Sequence, residues 1–448
     1  MKISVVGTGY VGLVSGVCLA DKGHDVICVD NDVDKVNLIN TGKSPIHEAG
    51  LDELLQKNIG DRLTATTDLK AAVENTEVSL IAVGTPFDGS EIDLSYIRQV
   101  SADIGDALKA KTGYHVVIVK STVVPGTTDT VVLPILEQHS GKKAGKDFGV
   151  GMNPEFLREG VAIPDFMYPD RIVVGGIDER SQDVLAGMYA PFTGVDVIKT
   201  NTKTAEMIKY TSNSLLATLI SFSNEIGNLC AAVGGVDALD VMKGVHLDKR
   251  VSPILESGER VTPALTTYLE AGCGFGGSCF PKDVKALISH GKKEGQSMSL
   301  LTSVIDVNRE QPREVLDRLY KHFENVEGTR VAVMGLAFKP GTDDMRESPA
   351  IPVVNELIAR KAEIKAYDPV AEEEAKKIFP NGGVTYCSSI EETMDQADAV
   401  LVLTRWSEFE QIPEVLKRMN VSPLVVDGRR MLPRDSVERY EGIGISLQ

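Results

Sequence analysis

The chain has 448 residues, 42% hydrophobic and 25% charged, with a formal net charge of −17. That length calls for two or three domains, and the composition is that of a soluble globular protein. The acidic balance excludes nucleic acid as a general partner and leaves any anionic ligand to specific Arg, Lys and helix N-termini. No uninterrupted apolar run reaches the roughly 18 residues of a bilayer span, so no membrane partner is expected. Lys2–Val6 enters a strand pattern directly, without the features of a secretory leader. The six cysteines (18, 28, 230, 273, 279 and 387) form neither CxxC metal pairs nor a disulfide framework. No metal is therefore expected, and a reducing cytoplasm is the expected compartment.

The β-rich run Lys2–Val6 leads at once into Gly7-Thr8-Gly9-Tyr10-Val11-Gly12. Helical spacing of Val14, Val17, Cys18 and Leu19 follows, Gly23 closes it, and Asp25–Asp30 is a second strand ending in an acid. Strand, GxGxxG, helix, strand, acid is the pattern of a dinucleotide site, with Tyr10 and Val11 inside the phosphate-binding turn. The glycines allow a tight turn, close approach of a pyrophosphate and close helix–strand packing. Asp30 would accept from ribose hydroxyls and repel a 2′-phosphate, favouring NAD over NADP, while Lys35 offsets part of that repulsion. Further buried-type strands run into Gly84-Thr85-Pro86 and Lys120-Ser121-Thr122, where Thr85 and Thr122 either line the nicotinamide side of a cleft or cap a helix. A strand near 148–151 leads to Asn153-Pro154-Glu155-Phe156-Leu157-Arg158-Glu159-Gly160. Its two acids read either as a solvated pair or as ligand-side groups.

From Thr204 to about Ala232 the pattern is one long helix, apolar on more than one side. Lys209 and Asn213 share a face of it. They are either solvated or, against a cleft, an oxyanion stabiliser and a positioner of a water or hydroxyl. An irregular arm containing Arg250, Pro253, Arg260 and Pro263 then leads to Gly274-Phe275-Gly276-Gly277-Ser278-Cys279-Phe280-Pro281-Lys282-Asp283. Cys279 stands just ahead of a short helix that Gly291 is expected to end, with Lys282 one turn away. Both features favour thiolate, so Cys279 is either a covalent nucleophile or, as most free cysteines are, a small buried hydrophobe. A second αβ unit begins at Arg330–Gly335, with a helix at 350–358 and strands near 362–368, 397–404 and 424–427. Its first turn lacks GxGxxG, which argues against a second dinucleotide. Lys339, Arg346, Arg429 and Arg430 lie near strand ends and suit phosphates. The expected fold is α/β, two doubly wound Rossmann-like domains joined by a long central helix.

In this order, GTGYVG, GTP, KSTVVPGT, NPEFLREG, Lys209-x-x-x-Asn213, GFGGSCFPKD and FKPGTDDMRESP span the chain. Together they resemble the UDP-glucose/GDP-mannose dehydrogenase family. The resemblance implies an NAD-binding domain over 1–198, a central domain over 199–312 with the dimerising helix and cysteine loop, and a nucleotide-sugar domain over 313–448. It implies a four-electron oxidation of a sugar C6 hydroxyl to a carboxylate through a thiohemiacetal and a thioester on Cys279. UDP-glucose is the leading substrate and GDP-mannose the alternative, the product serving polysaccharide synthesis.

By the same resemblance Lys209 stabilises the oxyanion, Asn213 holds the sugar, Asp283 and Thr122 organise a water, and Glu155 assists hydrolysis. Glu159 lies near both ligands, while Lys282 and Arg346 contact NAD. Phe156, Leu157, Arg158, Tyr268, Leu269, Gly272, Gly276, Lys339 and Arg429 surround the substrate, and Arg260, or else Arg250, reaches it from the arm. Two departures bear on substrate identity: a longer segment over 252–267, and His47 and Ala49 where the family has Tyr and Pro. A two-electron β-hydroxyacid dehydrogenase would need neither Cys279 nor the last third of the chain. A non-catalytic sensor of NAD or nucleotide sugars would give no turnover.

Overall fold

A computed structural model of the chain describes residues 1–380 and 382–446. The chain divides into two compact units, one over Met1–Ser212 and the other beginning at Asn213.

The first unit is built on eight strands: β1 (Lys2–Val6), β2 (Asp25–Val29), β3 (Leu63–Thr66), β4 (Val78–Ile81), β5 (Val116–Val119), β6 (Gly149–Met152), β7 (Arg171–Gly176) and β8 (Asp196–Thr200). Their order is β3-β2-β1-β4-β5-β6-β7-β8, and every pairing is parallel except β6 with β7. β4 and β5 are buried at every position, which is why they read as unbroken apolar runs rather than alternating ones. Helices cover both faces. Leu13 and Val17 of the helix Tyr10–Asp21 pack with Ile3, Val5 and Val26 on one side, while Ile97, Ile104 and Leu108 of the helix Ser95–Ala110 pack with Val117 and Val119 on the other. Truncating such a residue to Ala costs about 2–5 kcal/mol. The order reverses between β1 and β4, so a crevice is expected beyond their carboxyl ends.

Below that crevice lies a polar cluster inside the core. Ser4 Oγ is 2.7 Å from Ser79 Oγ, Ser79 Oγ is 2.8 Å from His115 Nε2, and His115 Nδ1 is 3.1 Å from the Thr76 carbonyl. Burial pushes the His115 imidazole down to about 3, so it stays neutral.

The chain passes into the second unit within the helix Thr202–Val233. By length and composition this helix is apolar enough to cross a membrane, although polar and charged residues interrupt its apolar runs. Four of its polar side chains nevertheless bond to protein. Asn213 bonds Asp283, Ser221 bonds the Val304 carbonyl, Asn224 accepts from Gly272 N–H, and Asn228 bonds Gln311. Lipid supplies no such partners.

The second sheet comprises β9 (Arg330–Met334), β10 (Glu363–Tyr367), β11 (Thr385–Tyr386), β12 (Ala399–Val402), β13 (Leu424–Asp427) and β14 (Tyr440–Gly442), in the order β11-β10-β9-β12-β13-β14. The architecture is thus the expected pair of Rossmann-like α/β sheets joined by a long helix. The expected stop at Gly291 is corrected: the helix Phe280–Lys293 runs through it and ends before Gly295, whose φ is +77°. Gly291 is small because a Cβ there would lie 2.5 Å from the Met298 side chain.

Candidate active site

In the first unit the three turn glycines play different parts. Gly7 has φ +97°, and a Cβ on it would press on the Ala82 carbonyl oxygen at 2.8 Å. A Cβ on Gly12 would fall 1.8 Å from the Gly7 oxygen. A Cβ on Gly9 would meet nothing within 4 Å. The first two are needed by the fold, whereas Gly9 leaves open space over the start of the helix Tyr10–Asp21, where the N–H groups of the first turn lack helical partners.

Asp30, at the end of β2, accepts from Thr8 N–H at 2.8 Å, Thr8 Oγ1 at 2.6 Å and Asp32 N–H at 3.0 Å. Burial pushes its carboxyl up, but these bonds and the Lys35 charge outweigh that and hold it below the usual range. An ionised acid next to an open glycine and a helix N-terminus fits a dinucleotide carrying an unmodified ribose.

A clasp that local spacing did not reveal joins this turn to the 153–160 loop. Glu48 accepts from the Tyr10 hydroxyl, from Gly160 N–H at 2.7 Å and from Ala162 N–H at 2.8 Å. Glu155 of the same loop and Lys209 of the long helix, 6% and 3% exposed, form an ion pair at 2.7 Å, and Glu155 also accepts from Leu157 N–H at 2.7 Å. Burial pushes the Glu155 carboxyl up, but the Lys209 ammonium beside it holds it below its ordinary value. Phe156 sits under the Arg171 guanidinium at 3.8 Å, and Arg158 grips Asp165 at 2.6 Å. The Glu159 charge acts on Tyr10.

Thr85 Oγ1 donates to the Thr122 carbonyl at 2.7 Å, joining the two threonine loops. The segment after Thr122 is held by Glu206, which accepts from Gly126 N–H at 2.5 Å, Thr128 N–H at 2.8 Å and Thr128 Oγ1 at 2.6 Å. Glu206 lies one helical turn before Lys209, so one helix serves both loops.

In the second unit Cys279 is the N-cap of the helix Phe280–Lys293, with Pro281 in its first turn. Five of the six cysteines are buried; Cys279 is half-buried, with Ser278 Oγ 3.5 Å from its sulfur. Four residues on, the carboxylate of Asp283, 1% exposed, accepts from Asn213 Nδ2 at 2.7 Å and from Lys282 Nζ at 2.6 Å.

The loop glycines serve packing within this unit. A Cβ on Gly276 would meet the Glu347 oxygen at 2.3 Å, and one on Gly277 would meet the Phe338 ring at 2.6 Å. Gly272 gives its N–H to Asn224 and its carbonyl to Gln311. Arg429 donates to the Leu403 carbonyl at 2.7 Å and the Gly274 carbonyl at 3.0 Å, tying the cysteine loop to the sheet. Arg430 is buried against Asp237 at 2.7 Å, and Arg346 pairs with Asp344 at 2.8 Å. Lys339 lies 5.6 Å from the Phe338 ring.

In the arm Arg260 bonds the Leu247 and Ser252 carbonyls, each at 2.8 Å, and Arg250 pairs with Asp248. Tyr268 and Leu269 end a short 3-10 turn, with the Tyr268 ring 6.4 Å from Phe280. Among the described residues no three His, Cys, Asp or Glu side chains gather as a metal site.

Three family models cover the chain in succession, all of the UDP-glucose/GDP-mannose dehydrogenase family: its NAD binding domain over 1–193, its central domain over 203–310 and its UDP binding domain over 332–434. The chain is 42% identical to a UDP-glucose 6-dehydrogenase of Haloferax volcanii, over 99% of this chain and all of that protein. It is 38% identical to a GDP-mannose 6-dehydrogenase of Azotobacter vinelandii, again over 99% of this chain and all of the other. A solved UDP-glucose dehydrogenase from Pyrobaculum islandicum superposes with a TM-score of 0.89 at 37% identity, covering 99% of this chain and 98% of that one. The chain belongs to the UDP-glucose/GDP-mannose dehydrogenase family.

Proposed function

We infer that this chain is an NAD-dependent nucleotide-sugar 6-dehydrogenase that oxidises the C6 hydroxyl of UDP-glucose to the carboxylate of UDP-glucuronate. The observation that carries this is Cys279, half-buried at a helix N-terminus among five buried cysteines, in a chain about 40% identical over its whole length to UDP-glucose 6-dehydrogenases. GDP-mannose is the second reading, supported by the Azotobacter relative.

When bound, NAD supplies the acceptor for the hydride of each of the two oxidations. The chain's residues do the rest. Gly7 to Gly12, with Tyr10 and Val11, would hold the pyrophosphate and Asp30 the ribose, while Thr85, Thr122, Glu159, Lys282 and Arg346 complete the cofactor's surroundings. Lys209 would stabilise the alkoxide as the C6 hydroxyl is oxidised. The Cys279 sulfur attacks the aldehyde carbon to give a thiohemiacetal, whose oxidation leaves a thioester. Water, organised by Asp283 with Thr122 and activated by Glu155, then releases the acid and regenerates the thiol. The Asn213–Asp283 bond supports this assignment, because it fixes the amide and the carboxylate to each other. Arg260, Tyr268, Lys339 and Arg429 are assigned to the nucleotide sugar with the 155–159 loop. The three divisions 1–198, 199–312 and 313–448 follow these tasks.

A homodimer through the long helix is part of this reading. Leu215, Phe222 and Leu229 recur at heptad spacing, with Val233 one turn on, and each is about half exposed or more. The buried free cysteines support a cytoplasmic enzyme, and the uronate product suits polysaccharide synthesis. The test is a panel of UDP- and GDP-sugars assayed for NADH. Two equivalents per UDP-glucose are expected; one equivalent would favour a simple alcohol dehydrogenase.

A further inference from the structure

The first unit buries three charged side chains together. Lys120 is 2% exposed, Glu155 6% and Lys209 3%. Glu155 and Lys209 pair at 2.7 Å, and the Lys120 charge acts on both. Two ammoniums thus lie with one carboxylate out of water. That costs several kcal/mol unless something uses it.

Among the described residues no carboxylate comes within ion-pair distance of Lys120, and Glu155 acts on it only as a nearby charge. Its Nζ donates to Asn153 Oδ1 at 2.8 Å and lies 3.4 Å from the Tyr189 hydroxyl, which itself donates to the same Asn153 oxygen at 2.5 Å. Asn153 is fixed in turn by its amide to the Val173 carbonyl at 2.9 Å, and the Phe166 ring faces the ammonium at 5.7 Å. The charged groups acting on Lys120 are thus Glu155, from the 153–160 loop, and Lys209, from the long helix. Tyr189, buried and with its pKa pushed up, stays neutral. Neutral partners hold Lys120 in place directly after the end of β5, two residues before Thr122.

We propose that Lys120 is a positioning residue for the reaction, a second buried ammonium that keeps Glu155 ionised and loosens the hold of Lys209 on its proton. The proposal rests on the roles given above to Glu155 and Lys209. A standing positive charge beside them favours each anionic state that forms there. Burial draws the Lys120 ammonium itself down to about 8, partly countered by Glu155, so it carries its charge through neutral pH.

The experiment compares Lys120→Met and Lys120→Arg in the full chain with UDP-glucose and NAD. In Lys120→Met both limbs of the pH profile of kcat should move to higher pH by on the order of one unit, because Glu155 becomes harder to ionise and Lys209 harder to deprotonate. Lys120→Arg, which keeps the charge, should retain the wild-type limbs. A fall in kcat with both limbs unmoved would overturn the proposal.

A second readout needs no turnover. In protein labelled with 13C at lysine Cε, and with the Lys209 signal assigned through Lys209→Met, the Lys209 titration should shift upward in Lys120→Met. An unshifted titration would overturn the proposal even in a chain inactive on every sugar, an inactivity that would itself sink only the dehydrogenase reading. Lys120→Gln is the alternative neutral variant. Failure of both neutral variants to fold would make Lys120 a structural anchor and overturn the proposal as well.

Discussion

In both sheets the first strand lies between the second and the fourth, and in both the second strand is followed by an aspartate, Asp30 after β2 and Asp368 after β10. The surroundings of the two acids differ. Asp30 takes three hydrogen bonds from two residues and stands near an open glycine. Asp368 is buried and takes five: from the N–H groups of Leu336, Ala337, Val370 and Ala371 and from the Trp406 indole. The turn after β9 is filled by its own chain. Gly335 has φ +91°, and a Cβ there would lie 2.4 Å from Thr404 Cβ. Topology creates a crevice at the same place twice, but only one crevice keeps an acceptor and an open backbone for a dinucleotide. The other spends the same aspartate on its own loops, and that unit is left to carry the sulfur.

The largest effect separates the units by chemistry. Cys279→Ser should lower acid formation by roughly a thousandfold or more while NAD affinity, measured by fluorescence titration, stays at the wild-type value. Near-normal turnover would remove the covalent route.

Next come the two acids. Asp368→Ala should cost roughly 3 kcal/mol of stability by orphaning buried donors, with NAD binding unchanged in the folded fraction. Asp30→Ala should weaken NAD about 10–100-fold and relax discrimination against NADP. Equal effects on stability would erase the difference between the two aspartates.

The glycines sharpen it further. Gly9→Ala should leave the melting temperature unchanged yet weaken NAD about tenfold, because the methyl group enters space that the chain does not use. Gly335→Ala should do the opposite, costing about 2 kcal/mol from a left-handed conformation and a clash.

The smallest expected effect is a pH dependence in the first unit. The folded-state pKa of His115 lies near 3, below its unfolded value of about 6.5, so its stabilising contribution is complete above that value and is lost as pH falls towards 3. Between pH 8 and pH 6 the loss should be about 1 kcal/mol, read by denaturant melts, and His115→Gln should remove it.

The glycine turn and Asp30 were legible because strand, turn and helix follow one another within thirty residues, with Gly7 and Gly12 where local geometry requires them. The long helix was legible from its uninterrupted span. The missed features depend on partners far away in sequence. Lys120 meets Asn153 from 33 residues away, Glu206 reaches back 80 to Gly126, and Glu48 meets Gly160 across 112. No local spacing carries such pairs. A lysine directly after the buried run Val116–Val119 was nevertheless a faint sign that its ammonium would be enclosed. Gly291 misled for the converse reason: it is small to make room for Met298, as Gly276 and Gly277 are beside Glu347 and Phe338. Smallness alone does not tell whether the neighbour is a ligand or the protein itself.

The uneven exposure of the cysteines has a practical consequence. Burial pushes the thiols of Cys18 and Cys28 up to about 12 and raises that of Cys273, while Cys230 and Cys387 are enclosed. A mild alkylating reagent at neutral pH should therefore consume one equivalent per chain, at residue 279. Competent centres can then be counted by label stoichiometry, and inhibitors carrying a soft electrophile have a single address on this fold.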